Sequence, residues 1–486
     1  IMYMGEDNMD YKIYIAKKIN EYINLSIEEI ESMLEVPVKY ENGDYSLPCF
    51  HLSKILKKPP NLIAKELKKQ IKDDIFEKIE NLGPYLNFFL NKGIYIRNTL
   101  ERVIQQGEAF GYSCMGEGKI ICIEHLFCKK SGCFDISNPF TIVVGNSLCN
   151  LFRNRGFKVI DINNISKIWS EVDKLILTQF DYENTFFNYE VDLYYNELIS
   201  KLRKKNLLIK FNETYVVNLE NYNMPPYIVS NEYKIDKKVL KIADLLHINS
   251  KYNFYKYLYI SSNSEKVNVN QKFKVLELLD YEWVKQCEHV KLGLVKFAKS
   301  DTFIKNEKYL NFNELLSNSC NEIMENHIEL KKDKGLLKAI LQSALVFTYL
   351  SDYRIGNKII DFNKIFSTEY KTGAYIIYSY IKLKSMLLKF ENLNCNCNYS
   401  KLNFKEGLEL VKLLDVYEYF IQTATDELEP AIISRYIIKI TDSVNEISNS
   451  IFDLENEKLI KPKLQLIKAT NIVIKNALRL LGIYID

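Results

Sequence analysis

The pattern of hydrophobic and polar residues changes twice along this chain and predicts three regions of different structure. In the first, residues 1–110, the stretch LSIEEIESMLEV (25–36) has helical spacing and is predicted to end at Val36, because Pro37 cannot continue a helix. YLNFFLN (85–91) is instead typical of a strand. We therefore predict a small α+β domain over residues 1–110.

The second region, residues 111–330, contains continuous apolar runs. KIICIEHLF and FKVIDI are typical of buried strands in a parallel sheet. The segment between them predicts a helix with Asn138 as its N-cap, Pro139 at its first position and an end near Gly156. KYLYISS and CEHVKLGLVKF predict two further core strands with a helix between them. This order of strand, helix and strand predicts a doubly wound parallel sheet.

The third region, residues 331–486, shows only helical patterns, with Pro430 and Pro462 separating the helices. KLQLIKATNIVIKNALRLL is an example in which four apolar residues fall on one helical face: Ile467, Ile474, Leu478 and Leu481. The predicted fold class is thus a multidomain α/β protein with an N-terminal α+β domain, a parallel-sheet domain and a C-terminal helical bundle.

Composition and charge narrow the class of protein without identifying it. The 486 residues are 47% hydrophobic and 26% charged, which is typical of a folded globular chain. The net charge of +3 does not by itself indicate a nucleic-acid partner. No CxxC pair occurs among the ten cysteines, so we predict buried free thiols in a reducing cytosol and no metal site. No membrane span or signal peptide is apparent, so we expect a cytoplasmic protein with no membrane partner and no DNA partner.

The stretch CFDISNPFTIVVGNSL (133–148) has the shape of a strand-to-helix turn that binds phosphate, but its chemistry does not fit that role. Asp135 lies at the mouth of the turn, and an ionised carboxylate only accepts hydrogen bonds. Its charge would repel a phosphate at 4 Å by about 4 kcal/mol at an effective dielectric constant near 20.

Three groups of stretches, in order along the chain, together resemble arginyl-tRNA synthetases. They are VPVKYENGDYSLP and GPYLNFFLN near the N-terminus, VVGNSLCNLFRNRGFKVIDIN in the middle, and TGAYIIYSYIKLKSML, ELEPAIISRY and NALRLLGI near the C-terminus. The resemblance implies a tRNA-elbow domain, a class I Rossmann-type catalytic domain, here shortened by several dozen residues, and an anticodon-binding helical bundle.

The same resemblance implies that the ATP site is degenerate. The HIGH motif of the family matches DISN, which includes Asp135, Ser137 and Asn138, and the KMSKS loop matches DTFIK, in which only Lys305 is recognisable. Residues that bind the substrate in the family match Lys129, Lys241 and Asn268. We therefore expect a pseudoenzyme with no cofactor; ATP and Mg²⁺ would be required only by a divergent active ligase.

The positions that contact tRNA in the family match this sequence better than the ATP-site motifs do. In the N-terminal domain they match Tyr85 and Asn87, an aromatic and an amide suited to an unpaired base. In the C-terminal domain they match Tyr375, Tyr378, Lys382, Arg435, Tyr436 and Asn445. Tyr85 and Asn87 are also compatible with the plain end of a strand, and tyrosines at helical spacing are also compatible with a helix core. For both sets, a tRNA-contact role and a purely structural role therefore stay open.

Three functions are consistent with the sequence. The first is an inactive paralogue that binds tRNA(Arg), or a tRNA-like partner, as a regulatory or accessory factor. The second is an active but divergent arginine–tRNA ligase. The third is a scaffold that binds another protein and has no preference for tRNA(Arg).

Overall fold

The computed structural model describes most of the chain. The described residues are 11–35, 37, 42–125, 137–163, 191–231, 234–235, 237–298, 304–306, 309–310, 334–361, 365, 371–389, 397–451 and 457–485. They fall into two compact units. Unit 1 comprises Ile1–Phe110, Lys382–Val416 and Asp442–Val473, and unit 2 comprises Gly111–Ile381, Tyr417–Thr441 and Ile474–Asp486. The three predicted domains, 1–110, 111–330 and 331–486, remain a prediction.

The N-terminal part of unit 1 is built from short helices around a small antiparallel sheet. Its elements are α1 (Tyr11–Asn20), α2 (Ile27–Met33), β1 (Tyr45–Pro48), α3 (Phe50–Leu56), α4 (Pro60–Gln70), β2 (Phe76–Leu82), β3 (Tyr85–Leu90) and α5 (Lys92–Gln106). The strand order is β1-β3-β2, with β3 in the centre, and both pairings are antiparallel. The predicted strand at 85–91 is confirmed as β3.

Helix α2 ends at Met33, three residues before the predicted end at Val36. Leu34 is already extended, and Glu35 exchanges two backbone hydrogen bonds with Ser46 in β1. Pairing with a distant strand therefore ends the helix before Pro37 does, and the prediction was wrong because it considered only local sequence.

Unit 2 is organised around a parallel sheet with the strand order β11-β10-β4-β5. The strands are β4 (Ile120–His125), β5 (Lys158–Asn163), β10 (Lys256–Ser262) and β11 (Cys287–Leu292). Their mutual pairings are all parallel, as the continuous apolar runs predicted. The helices α6 (Ser137–Asn154), α7 (Val191–Lys204), α8 (Lys237–Tyr252) and α9 (Lys266–Leu278) belong to the same unit.

Helix α6 begins one residue before the predicted N-cap. Asn138 is the second residue of the helix and Pro139 the third, so the N-cap assignment was wrong. The predicted end is confirmed: Gly156 has φ of +80°, its N–H donates to Arg153 and the N–H of Phe157 donates to Phe152. These two bonds satisfy carbonyls at the helix end, and a residue without Cβ adopts this conformation most easily.

An antiparallel sheet that the sequence analysis did not predict lies between α7 and α8. Its strands follow chain order: β6 (Leu208–Phe211), β7 (Thr214–Val217), β8 (Tyr227–Asn231) and β9 (Lys234–Ile235). Val217 and Tyr227 join the apolar core formed by α7, α8 and β10.

CEHVKLGLVKF forms two strands rather than the one predicted. After β11, Gly293 allows a close approach: a Cβ there would lie 2.1 Å from the carbonyl oxygen of Gly356. The chain then forms β12 (Val295–Phe297), which pairs in parallel with β15 (Lys358–Ile360). The expectation of only helices after residue 330 was therefore wrong, because a three-residue strand has no periodic pattern of its own. Two further strands, β13 (Ile304–Asn306) and β14 (Tyr309–Leu310), form an antiparallel pair.

The remaining described elements are helices: α10 (Lys334–Leu350), α11 (Gly373–Lys389), α12 (Lys405–Asp415), α13 (Tyr417–Asp426), α14 (Ala431–Ile451) and α15 (Glu457–Leu480). The apolar face predicted for α15 is buried at Ile467, Ile474 and Leu478, and Leu481 just beyond the helix is buried as well. Pro430 precedes α14 as predicted, whereas Pro462 lies inside α15 instead of ending a helix. In the described parts of the chain, no helix is long and apolar enough to cross a membrane.

Candidate functional site

A group of charged side chains lies at the carboxyl end of the parallel sheet in unit 2. Glu124, the penultimate residue of β4, is 3% exposed, and the Tyr257 hydroxyl donates a hydrogen bond to its Oε2. The Nζ of Lys241, in α8, lies 3.6 Å from Glu124 Oε1 and 3.5 Å from Asp244 Oδ2. Lys272, in α9, places its ammonium 3.9 Å from the ring centroid of Tyr259.

These groups shift one another's protonation. Burial would raise the pKa of Glu124, but Lys241, Lys272 and the Tyr257 hydroxyl together lower it. Burial would lower the pKa of Lys241, but the two carboxylates raise it above its ordinary value. Burial also raises the pKa of Asp244 to about 6 and lowers that of Lys272. Glu124 and Lys241 are therefore both charged near neutral pH, as an internal ion pair.

Two neighbouring groups complete this edge of the sheet. Asn268 accepts a hydrogen bond from the Lys238 ammonium at 3.1 Å. Ser261 and the Nε2 of His289 are hydrogen-bonded at 2.9 Å, and burial together with Lys291 and Lys272 lowers the pKa of His289 to about 4. His289 is therefore neutral near neutral pH.

A second buried polar pair joins β4 to β5 and lies against the helix α6. The Nε2 of His125 lies 2.9 Å from Asp161 Oδ1, and both residues are buried. A Cβ on Gly145 of α6 would lie 2.7 Å from the imidazole, so the helix can pack here only with glycine at this position. Among the described residues, no group of three or more His, Cys, Asp or Glu side chains is arranged to hold a metal ion.

The structure describes only some of the positions matched to the ATP and substrate sites. Lys129 and Asp135 lie outside the described residues, whereas Ser137 and Asn138 begin α6 and Lys305 lies in β13. The structure places the substrate-matched residues Lys241 and Asn268 on adjacent helices, α8 and α9, at the carboxyl edge of the sheet.

In unit 1, only one of the two N-terminal tRNA-matched side chains reaches the surface. Tyr85 is 39% exposed, and its ring meets the edge of Phe50, itself 48% exposed, at a centroid distance of 5.7 Å. Asn87 is 4% exposed, and its Oδ1 accepts a hydrogen bond from Ser46 at 2.7 Å. Tyr85 is thus available to an unpaired base, while Asn87 joins β1 to β3.

The C-terminal residues matched to tRNA contacts also differ from one another in solvent exposure. On α11, Tyr378 and Lys382 are exposed and Tyr375 is half-buried. On α14, Arg435 is exposed with its guanidinium 5.1 Å from the Tyr353 ring, and Asn445 is half-buried.

Tyr436 is buried in unit 2. It is 1% exposed and its ring stacks on Tyr417 at 5.6 Å with an interplanar angle of 18°. The structure therefore gives Tyr436 a core position and leaves Arg435 on the surface.

Sequence reasoning did not select three residues that the structure makes prominent: Glu124, Tyr257 and Phe50. A glutamate inside an otherwise apolar strand was a signal, because buried carboxylates are rare unless they are paired. Nothing local distinguished Phe50 or Tyr257 from core aromatics.

The fold defines a class: an α/β domain of the type found in aminoacyl-tRNA synthetases, combined with an N-terminal α+β part and C-terminal helices. Similar solved structures are those of arginyl-tRNA synthetase from Thermus thermophilus (TM-score 0.70, 15% identity, 98% of both chains) and from Plasmodium falciparum (TM-score 0.64, 14% identity, 100% of both chains). Mycobacterium tuberculosis methionyl-tRNA synthetase shares the fold more distantly (TM-score 0.53, 8% identity, 76% of this chain and 90% of that one).

Sequence similarity then identifies the family. Residues 9–90 match the arginyl tRNA synthetase N terminal domain, and residues 376–485 match the DALR anticodon binding domain. The arginine–tRNA ligase of Clostridium botulinum (strain Alaska E43 / Type E3) is 33% identical over 557 residues, covering 98% of this chain and 99% of the relative, and that of Clostridium beijerinckii is equally similar. The chain belongs to the arginyl-tRNA synthetase family. Since it has 486 residues, the 557-residue alignment contains positions with no counterpart here.

Proposed function

We propose that this protein binds tRNA, with tRNA(Arg) as its preferred partner. The observation that carries the proposal is the exposed ring pair of Tyr85 and Phe50, within the matched N-terminal domain. Residues 50–70, which form α3, α4 and the turn between them, contain one acidic residue, Glu66, and six lysines: Lys54, Lys57, Lys58, Lys65, Lys68 and Lys69. Aromatic rings that stack on bases, beside cations that attract the phosphate backbone, are the usual elements of single-stranded nucleic-acid binding.

The test is retention of transcribed tRNA(Arg) and of a second tRNA by the purified protein on a filter. Replacing Tyr85 by alanine should weaken tRNA(Arg) binding by roughly 5- to 100-fold, since stacking on one base contributes about 1–3 kcal/mol. Tyr112→Ala removes a tyrosine that is 54% exposed outside both matched domains and should leave binding unchanged. Equal retention of both tRNAs would contradict the preference and favour a protein-binding scaffold.

We further propose that the protein does not charge tRNA. Asp135 at the matched HIGH motif would repel phosphates, and loss of one hydrogen-bond donor from such a site costs about 10²–10³ in rate. Lys241, at a position matched to substrate binding, contacts Glu124 and Asp244 and brings a positive charge to a place where a guanidinium would bind.

The alternative is an active, divergent arginine–tRNA ligase that uses ATP and Mg²⁺. The similarity over nearly the full length to proteins with that name favours this alternative over inactivity. Arginine-dependent formation of arginyl-tRNA by the purified protein, beside a known active synthetase as control, distinguishes the two. Charging at any measurable rate that scales with protein concentration would overturn the proposed inactivity and leave the tRNA-binding proposal standing.

A further inference from the structure

Glu124 is a buried carboxylate whose charge is balanced from within the chain. Burying an ionised carboxylate without a partner costs several kcal/mol, so a cation must lie beside it. The Lys241 ammonium, 3.6 Å from Oε1, provides one, while the Tyr257 hydroxyl occupies Oε2.

The position of Glu124 in the fold is one where ligands bind. β4 lies between β10 and β5 inside the parallel sheet, and Glu124 is next to its last residue. In open α/β sheets, ligands bind outside the carboxyl ends of the strands. A buried anion at this edge is suited to the cationic end of a ligand.

Lys241 reaches this place from the first turns of α8 on a long flexible stem. Its side chain is 31% exposed, and its ammonium lies 3.6 Å from Glu124 Oε1 and 3.5 Å from Asp244 Oδ2. The second buried lysine, Lys272, places its ammonium over the ring of Tyr259. Because its side chain is partly exposed, Lys241 can move its ammonium away from Glu124 by rotation of that side chain. Lys272 is only 5% exposed and lacks this freedom.

We propose that the ammonium of Lys241 occupies the cation position beside Glu124 and Tyr257, and that it thereby excludes free ligands with a primary ammonium or guanidinium group, such as arginine. This inference rests on the proposed absence of charging, for which it supplies a physical cause, and it does not depend on tRNA binding.

The exclusion follows from tethering. A group held on the same chain competes at an effective concentration of about millimolar or more, so a weak free cation does not displace it. The apparent affinity of a ligand falls with the fraction of molecules in which the site is open. Removing the Lys241 ammonium should therefore create a cation site that the wild-type protein does not offer.

The experiment uses the full chain and methylguanidinium chloride as the probe, with binding measured by calorimetry and by the rise of the melting temperature with probe concentration. Lys241→Ala should bind methylguanidinium at least about tenfold more tightly than wild type. The double variant Lys241→Ala/Glu124→Gln should lose this gain, because the amide carries no charge. The matched control is Lys251→Ala, which removes an exposed lysine from the last turn of the same helix, α8, and should show no gain.

Lys241→Ala removes one of the two cations that compensate the buried carboxylates, so Lys241→Gln serves as a second variant that retains a hydrogen-bond donor without the charge. A gain in either variant that Glu124→Gln abolishes supports the inference. Absence of a gain in both folded variants, or wild-type binding as tight as that of Lys241→Ala, would overturn it. Arginine-dependent charging of tRNA by the wild-type protein would overturn the proposed inactivity, whereas probe binding by the variants tests this inference directly, so the two failures are distinguishable.

Discussion

At the scale of single residues, Asp244 shows how burial and a neighbouring charge compete. Burial raises its pKa to about 6 even though Lys241 lies 3.5 Å from its Oδ2. The loss of hydration therefore outweighs the attraction of one partly exposed ammonium. Asp244 is consequently partly protonated in mildly acidic solution, unlike an aspartate in an unfolded chain, whose pKa is about 3.9.

We predict that Asp244 makes the stability of the protein fall as pH rises from about 4 to about 6. In this window the folded state binds more protons than the unfolded state, so the free energy of unfolding decreases with pH. Asp244→Asn removes this effect. The stability of wild type relative to Asp244→Asn should therefore drop by an amount on the order of 2 kcal/mol across the window.

Urea unfolding of both proteins at several pH values measures this difference. Asp280→Asn, which replaces an aspartate whose side chain is 77% exposed, is the control. A stability difference between wild type and Asp244→Asn that does not change with pH would contradict the prediction.

At the scale of elements, several contacts in unit 2 depend on backbones approaching closely. Gly373 begins α11 against α10, where a Cβ would lie 2.1 Å from the carbonyl oxygen of Ser343 and 2.2 Å from its carbon. Those atoms belong to a helix backbone and cannot rotate away, as a side chain would. The spacing of α10 and α11 at this point thus requires glycine.

Gly373→Ala should lower the free energy of unfolding by about 1–3 kcal/mol, because the added methyl group forces the helices apart. Gly93→Ala is the matched control: it also adds a methyl group to a first helical turn, but its nearest atom is the Ser400 Cβ at 3.3 Å. Thermal unfolding followed by circular dichroism compares the two variants. Equal melting temperatures would show that the α10–α11 contact relaxes without cost.

At the scale of the whole molecule, unit 1 is assembled from segments far apart in the chain. Asp415, at the end of α12, accepts hydrogen bonds from three side chains of α5: Tyr95 at 3.0 Å, Thr99 at 3.2 Å and Arg102 at 2.7 Å. Asp44 forms a further ion pair with Lys412 at 3.6 Å. Unit 1 therefore depends on residues more than 300 positions apart.

Asp415→Ala should destabilise the protein by about 2 kcal/mol, because it leaves the largely buried guanidinium of Arg102 without this acceptor. Asp426→Ala, which removes a carboxylate that is 61% exposed, should have a much smaller effect. Denaturant unfolding of the two variants provides the comparison. A loss for Asp415→Ala no larger than for Asp426→Ala would mean that this cluster contributes little to unit 1.

The sequence by itself determined the classes of the elements and the family. The apolar runs around Ile123 and Ile260 predicted parallel strands because only a strand buried on both faces is apolar throughout. The helical face at Ile467 and Leu478 was predictable because helix periodicity is a local property. The family was recognisable because stretches that resemble arginyl-tRNA synthetases occur at the start, in the middle and at the end of the chain, in the family's order.

Only the tertiary structure decided where particular side chains lie and which distant segments pair. It ended α2 at Met33 through Ser46, and it paired β15 with β12. It also buried Tyr436 while exposing Arg435 beside it. The pairing of Lys241 with Glu124 likewise depends on the packing of α8 against β4, which no local pattern specifies. The physical reason is common to all these cases: burial and pairing energies depend on contacts between residues far apart in sequence, whereas periodicity reports only on neighbours.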